Sequence, residues 1–454
     1  MKRPRIVVLS GAATLGIAVA ISRAVAPARS AATAADTAIT SRSITFFEQR
    51  LAGDSHNYMV GGQLVARYLL RFQTGANLAD VERAEAVAPA VLPVVSDTAG
   101  ALARLGVVYL TQHKFAAAYT AARQAAAWNP ADQSALGLLF DAAMALGRYP
   151  VAESALARLV PGRLPYQLRH AHFLAALGHQ DGAHYALDRA CAQLERAQLR
   201  PQVVAWCVTE LAKLQLTRSA GGERAAAALF QRALAFQPGY RGAVEGLADL
   251  AYARGDWRRA AAEYRQIAVD AYPDLYLRLA ETSRALGDAT AAQRYEASFL
   301  GVARAPDAEA LYAHPLALYY AARPLTRDTA LAIARRDVAR RPAVESYDVL
   351  SWVRFQRGEL GEALRASDLA RRWGSPSSTM HYHRARILEA LGRDAEAAAL
   401  MRRALAHGMS ALEPHVQREL RAPRSRSPIS MQATYEGRRE TLLFTQGDHS
   451  KRLR

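Results

Sequence analysis

Lysine is nearly absent from this chain of 454 residues: Lys2, Lys114, Lys213 and Lys451 are the whole set. They follow Met1, His113, Ala212 and Ser450, so the Gly-Lys-Ser/Thr that closes a phosphate-binding loop does not occur. There is also no G-x-G-x-x-G dinucleotide turn and no G-x-S-x-G nucleophile elbow. Cysteine occurs only twice, at Cys191 and Cys207. These absences remove the commonest enzyme classes and leave an alanine- and arginine-rich chain of net charge +17.

That charge suggests nucleic acid until it is located. Residues 1–43 carry a net +5 and residues 422–454 a net +4, leaving +8 over the 378 residues between. The interior has no basic stripe with interleaved aromatics, so no nucleic-acid partner is expected. At the amino end, MKRPR precedes sixteen uncharged residues, Ile6 to Ile21, then Ala24-Val25-Ala26 and an Ala/Thr/Ser stretch. A basic start, an apolar core and a small-residue exit are the parts of a secretory signal. The expectation is an exported protein, periplasmic or held at the inner membrane by residues 6–21, with cleavage and anchoring both open. No cysteine follows the apolar run, which excludes a lipoprotein, and no Arg-Arg pair precedes it.

The interior repeats. Numbered from Ala99, the residues Leu102, Leu105, Gly106, Tyr109, Ala118, Ala122, Ala125 and Pro130 stand at positions 4, 7, 8, 11, 20, 24, 27 and 32. Ala152 is 34 residues after Ala118, Ala260 is 34 after Ala226, and Ala397 is 34 after Ala363. Small residues recur where two helices would cross, larger apolar ones fill the gaps between, and Gly or Pro ends each helix. The chain resembles the tetratricopeptide repeat family over nearly four-fifths of its length, and within it the exported, alanine-rich bacterial members. The resemblance implies an all-α, right-handed superhelical solenoid of about ten helix–turn–helix units over residues 60–410. A helix at 44–59 would precede the array, a capping helix at 411–421 would follow, and a disordered basic tail would occupy 422–454. The unit near Ala330 departs from the pattern, with Asp337 at the usually small position 27.

In this family the first helix of each unit lines a concave groove. Carried over, positions 2, 5, 9 and 12 give Gly100, Ala103, Val107, Ser134, Gly137 and Asp141 in early units, and a richer set later. The later set comprises Glu245, Asp249 and Tyr252; Glu281 and Arg284; Tyr312 and Tyr319; Asp348, Trp352 and Phe355; Tyr382, Arg386 and Glu389. Aromatics beside Arg and carboxylates suit a protein or peptide ligand, with Trp352 and Phe355 as the expected anchor; the alternative is that some of these rings pack between helices. The chaperone-tail clamp of the family needs Lys and Asn at these positions, and neither is there. His170, His172, His179 and His184, or His381 and His383, lack the i, i+4 spacing of a helical metal site, so no metal and no cofactor are expected. Cys191 and Cys207 lie equidistant from the turn near residue 199, as a disulfide or as two small buried apolar residues. The expected function is a non-catalytic scaffold binding a protein or peptide outside the cytoplasm. A binder of anionic cell-envelope polymer and, more remotely, an enzyme subunit are the alternatives.

Overall fold

The structure is a computed structural model that describes residues 34–421 apart from 76–77, 92–97, 199, 219–220, 268–273 and 306–307. The apolar run 6–21 and the tail 422–454 lie outside the described residues. Among the described residues no helix is long and apolar enough to cross a membrane.

A leading helix, α1 (Ala34–Gly53), runs further toward the amino end than the expected 44–59 and stops before a turn at 54–57. There the Asn57 side chain accepts from the Val60 amide at 3.2 Å and starts the next helix. Ten helical hairpins follow. They are α2 (Tyr58–Gly75) with α3 (Leu78–Val91), α4 (Thr98–Thr111) with α5 (Phe115–Trp128), and α6 (Gln133–Ala145) with α7 (Tyr149–Ala157). Next come α8 (Leu164–Ala176) with α9 (Gln180–Arg196), α10 (Pro201–Arg218) with α11 (Glu223–Phe236), and α12 (Arg241–Arg254) with α13 (Trp257–Arg265). The last four are α14 (Asp274–Ala285) with α15 (Ala289–Ala303), α16 (Glu309–Ala321) with α17 (Arg327–Arg340), α18 (Val344–Gln356) with α19 (Leu360–Ala370), and α20 (Ser378–Ala390) with α21 (Asp394–Leu405). A 3-10 turn (Met409–Ala411) leads into the terminal helix α22 (Pro414–Arg421). The fold is the all-α helical-repeat solenoid that the 34-residue period implies.

The small positions do what their spacing demands. Ala118, Ala122 and Ala125 form one fully buried stripe on α5, spaced as one helix face. A Cβ added to Gly106 on α4 would run into the Leu138 side chain of α6, so three helices meet where only hydrogen fits. Gly255, at the end of α12, has φ 78°, a left-handed conformation that closes the helix at little cost only for glycine. Cys191 of α9 and Cys207 of α10 are joined as a disulfide, their Cα atoms 5.6 Å apart.

One feature of the array is not nearest-neighbour. The solenoid curls until units about 200 residues apart meet along a seam. The Tyr149 ring stacks on Trp373 at 3.7 Å, and its hydroxyl accepts from the Val344 amide at 3.0 Å. The Ser375 amide donates to the Ala176 carbonyl at 2.8 Å. The contact is close enough that a Cβ on Gly374 would lie 2.5 Å from the Ala176 oxygen. The concave face therefore surrounds an interior space.

Candidate functional site

That interior holds a cavity of about 910 Å³. Its walls come chiefly from the first helices of consecutive units, α10, α12, α14, α16, α18 and α20, and the segment 410–418 closes one side. A second cavity of about 740 Å³ adjoins it and shares His314, Arg341, Glu345, Ser377 and Met380. The lining of the first carries both signs of charge: Lys213, Arg278, Arg284, Arg323, Arg341 and Arg418 face Glu245, Asp249, Asp274, Glu281, Glu296, Glu345, Asp348 and Glu413.

These charges are organised as networks between neighbouring units. Glu296 accepts from Arg284 at 2.6 Å, Arg323 at 2.9 Å and the Tyr319 hydroxyl at 3.2 Å. Partial burial would lift its pKa, but the Arg284 hydrogen bond and the charge of Arg323 outweigh that and hold it below the usual range. The Arg323 guanidinium carbon also sits over the Tyr319 ring, 3.6 Å from its centroid. Asp249 takes the Tyr264 hydroxyl and sits 3.6 Å from Arg278. Burial raises its pKa; Arg278 opposes the shift and Glu245 adds to it.

Two histidine networks stand on the same wall. His383 Nδ1 is 2.9 Å from Asp348 Oδ2, and its Nε2 is 2.8 Å from Nε2 of His415 on α22. Trp352 covers the His383 ring at 4.3 Å. Burial, and then the neighbouring His383, hold the His415 pKa well below the usual imidazole value. The second network joins His314 Nε2 to Asp337 at 2.8 Å, while Arg341 Nε donates to Asp337 at 2.9 Å. Here the irregular Asp337 has its reason: burial opposes its ionisation, but His314 and Arg341 hold its pKa far below the usual range. Among the described residues no group of three or more His, Cys, Asp or Glu is arranged to hold a metal ion.

Of the thirteen later-unit groove residues expected from the repeat register, Glu245, Asp249, Glu281, Arg284, Tyr319 and Asp348 line the cavity. The others do not. Trp352 (4% exposed), Phe355 and Tyr382 form a buried cluster with Leu412 and Val416 of the terminal segment. The expectation that Trp352 and Phe355 open into the groove as its anchor is thereby corrected: the terminal helix covers them, and they pack as core. Tyr312 is likewise buried. Tyr252 is buried beneath Arg421. Arg386 donates to the Tyr382 hydroxyl at 3.0 Å and pairs with Glu419 and Glu389, the last of these exposed. In the early units Arg169 fills the groove, bonding the Gly137 carbonyl at 2.9 Å and Asp141 at 2.6 Å, both partners buried. Burial lifts Asp141 to a pKa of about 6 against the opposing charge of Arg169.

The repeat register points to none of His314, Arg341, Arg278, His415 and Arg418. Asp337 was the one available signal, since a carboxylate at a small, buried position requires a cationic partner.

No protein-family profile matches the chain, and no curated protein matches it. Similar solved structures are helical-repeat proteins. The human IFIT1 dimer with PPP-AAAA is 16% identical, covering 72% of this chain and 77% of that one at a TM-score of 0.46. PilW, a type IV pilus biogenesis factor, is 18% identical, covering 48% of this chain and 99% of that one at 0.37. A tetratricopeptide repeat protein from Parabacteroides merdae is 16% identical, covering 57% and 96% at 0.33.

Proposed function

We propose that this chain is a non-catalytic interaction scaffold that takes a segment of another protein, or a peptide, into the interior of its curled solenoid. The observation that carries this reading is the alternation of six cationic side chains with eight carboxylates around one cavity. A polyanion is held by an uninterrupted positive surface, and carboxylates outnumber cations on this lining. A peptide segment presents both signs together with backbone donors and acceptors, which such a wall can match pair by pair. We place the protein outside the cytoplasm. The Cys191–Cys207 bridge supports this, because such bonds persist in oxidising compartments.

The test is a selection of displayed random peptides on the full chain, followed by affinity measurement on charge variants. Glu345 is exposed and borders both cavities, so Glu345→Arg is expected to keep the fold and weaken selected peptides by about tenfold. Peptides that bind this variant and Arg323→Ala as they bind the unaltered chain would place the site elsewhere. Binding of a labelled RNA oligomer in place of any peptide would overturn the reading.

A further inference from the structure

The terminal segment does more than cap the last unit. Capping needs only an apolar face against the preceding hairpin, and Leu412 and Val416 supply it, buried 4% and 0% exposed. The Glu413 amide adds a bond to Thr379 at 2.9 Å. The cationic side of α22, however, reaches back to units more than 130 residues earlier. Arg418 pairs with Glu281 of α14, a carboxylate that also accepts from the Tyr252 hydroxyl at 2.7 Å. Arg421 donates to the carbonyls of Tyr252 and Ala253 at 2.9 and 2.7 Å. Its guanidinium carbon is 5.3 Å from the Tyr252 ring centroid and 4.9 Å from that of Trp257.

Those two carbonyls belong to the last turn of α12, at the negative end of the helix dipole, and that of Tyr252 also accepts from the capping Gly255 amide at 3.0 Å. The two rings flanking them stand edge to face, 5.1 Å apart. Together with Glu281 they form a seat for two guanidinium groups: a carboxylate for one, and paired carbonyls between aromatic rings for the other. α12, α13 and α14 build this seat, and a segment from the far end of the chain fills it.

We infer that this seat is a docking position for a partner helix carrying two arginines three residues apart, and that Arg418 and Arg421 occupy it in cis until such a partner arrives. The inference rests on the scaffold reading, and names both a ligand class and its competitor for that site. Arginines so spaced share one helix face, as Arg418 and Arg421 do. Because Arg418 also lines the cavity, its release widens the interior for the rest of the partner.

A labelled peptide of residues 409–421 tests this on the full chain by fluorescence anisotropy. A tethered competitor acts at an effective concentration on the order of millimolar, so the unaltered chain is expected to bind the peptide weakly. The double variant Arg418→Ala with Arg421→Ala is expected to bind it at least about tenfold more tightly. The same peptide with both arginines replaced by alanine is expected to bind neither chain, and Glu281→Gln in the double variant is expected to remove most of the gain. If the alanine variant fails to fold, Arg418→Lys with Arg421→Lys keeps the charges, loses the planar forks, and replaces it. A folded variant that does not bind the peptide, or equal binding of the alanine peptide, overturns the inference. Should library-selected peptides still respond to Glu345→Arg in that case, the scaffold reading stands and only the cis-occupant idea is lost; a chain that binds neither set fails both.

Discussion

Trp352→Ala separates core from groove. The indole is 4% exposed and is held by His383 at 4.3 Å, Phe355 at 5.0 Å, His415 at 5.9 Å and Tyr382 at 6.1 Å. An aromatic ring buries roughly 150–250 Å², and about 25 cal/mol per Å² gives roughly 4–6 kcal/mol for removing it from water. The alanine methyl recovers part of this, which brings the expected loss to about 3–5 kcal/mol, the scale of measured Trp truncations in cores. A repeat array need not unfold in one step, so a single melting temperature would dilute the effect. Hydrogen exchange across residues 344–421 reads it locally. A loss of about 4 kcal/mol is expected to raise the opening population there roughly a thousandfold, while α2 to α4 exchange as before. Unchanged exchange with weakened peptide binding would refute the core assignment and return the ring to the groove.

Three other outcomes follow from the packing and charges. Gly246→Ala puts a Cβ into the ring of fully buried Phe230; an overpacking cost of about 1–3 kcal/mol is expected in urea unfolding, and no change would mean the α11–α12 crossing is looser than described. Trp373→Ala removes the ring stacked on Tyr149 across the seam, so small-angle scattering is expected to show a larger radius of gyration at unchanged helix content. Equal scattering curves would show that the backbone contacts alone close the solenoid. Burial, together with the nearby Arg169 or Arg371 and Arg403, holds His172 and His381 at pKa values of about 4, below about 6.5 in the unfolded chain. The unfolded state then binds protons that the folded state refuses, so their contribution is complete above pH 6.5 and is lost as pH falls toward 4. The double variant His172→Asn with His381→Asn is expected to show a shallower loss of stability over that window than the unaltered chain. Parallel curves would exclude the two rings as its source.

What could be read in the sequence was local. Ala118, Ala152, Ala183, Ala226, Ala260 and Ala363 are buried to 0% exposure, because a 34-residue period directly encodes contact between successive helices. The turn glycines behave likewise, and where α4 ends without one, His113 takes the left-handed conformation at φ 58°. The seam and the terminal strap left no such trace. Tyr149 meets Val344 across 195 residues and Arg418 meets Glu281 across 137, and a repeat pattern says nothing of where the accumulated rotation of many units brings the chain back onto itself. For the same reason the ring positions of the last units were read as open groove. The register alone puts Trp352 and Phe355 in an open groove, whereas Leu412 and Val416, from beyond the repeat, pack with them in one buried cluster.

Closure also decides how a ligand can enter. The curl is held closed at the seam and at the terminal helix, and the two differ in strength. The seam combines a stacked aromatic pair, a backbone–backbone bond and a tyrosine hydroxyl at close packing, so parting it exposes apolar surface as well as polar groups. The outer edge of the strap is polar: Arg418 is 46% exposed where it meets Glu281, and such a pair contributes about 1 kcal/mol or less. Arg421 adds two charge-assisted bonds at roughly 1.5–3 kcal/mol each, and their acceptors can be solvated once it leaves. Val416 and Leu412 in the core, His415 on His383 and Glu419 on Arg386 hold α22 without those arginines, so the proposed opening frees Arg418 and Arg421 without undoing the cap. Together these terms, roughly 3–7 kcal/mol, keep the proposed open form below about 1% of the population, and a ligand that prefers it by a comparable free energy shifts the balance. On the proposed reading, a ligand enters beside the carboxyl end of α22, on the side of α12 and α14.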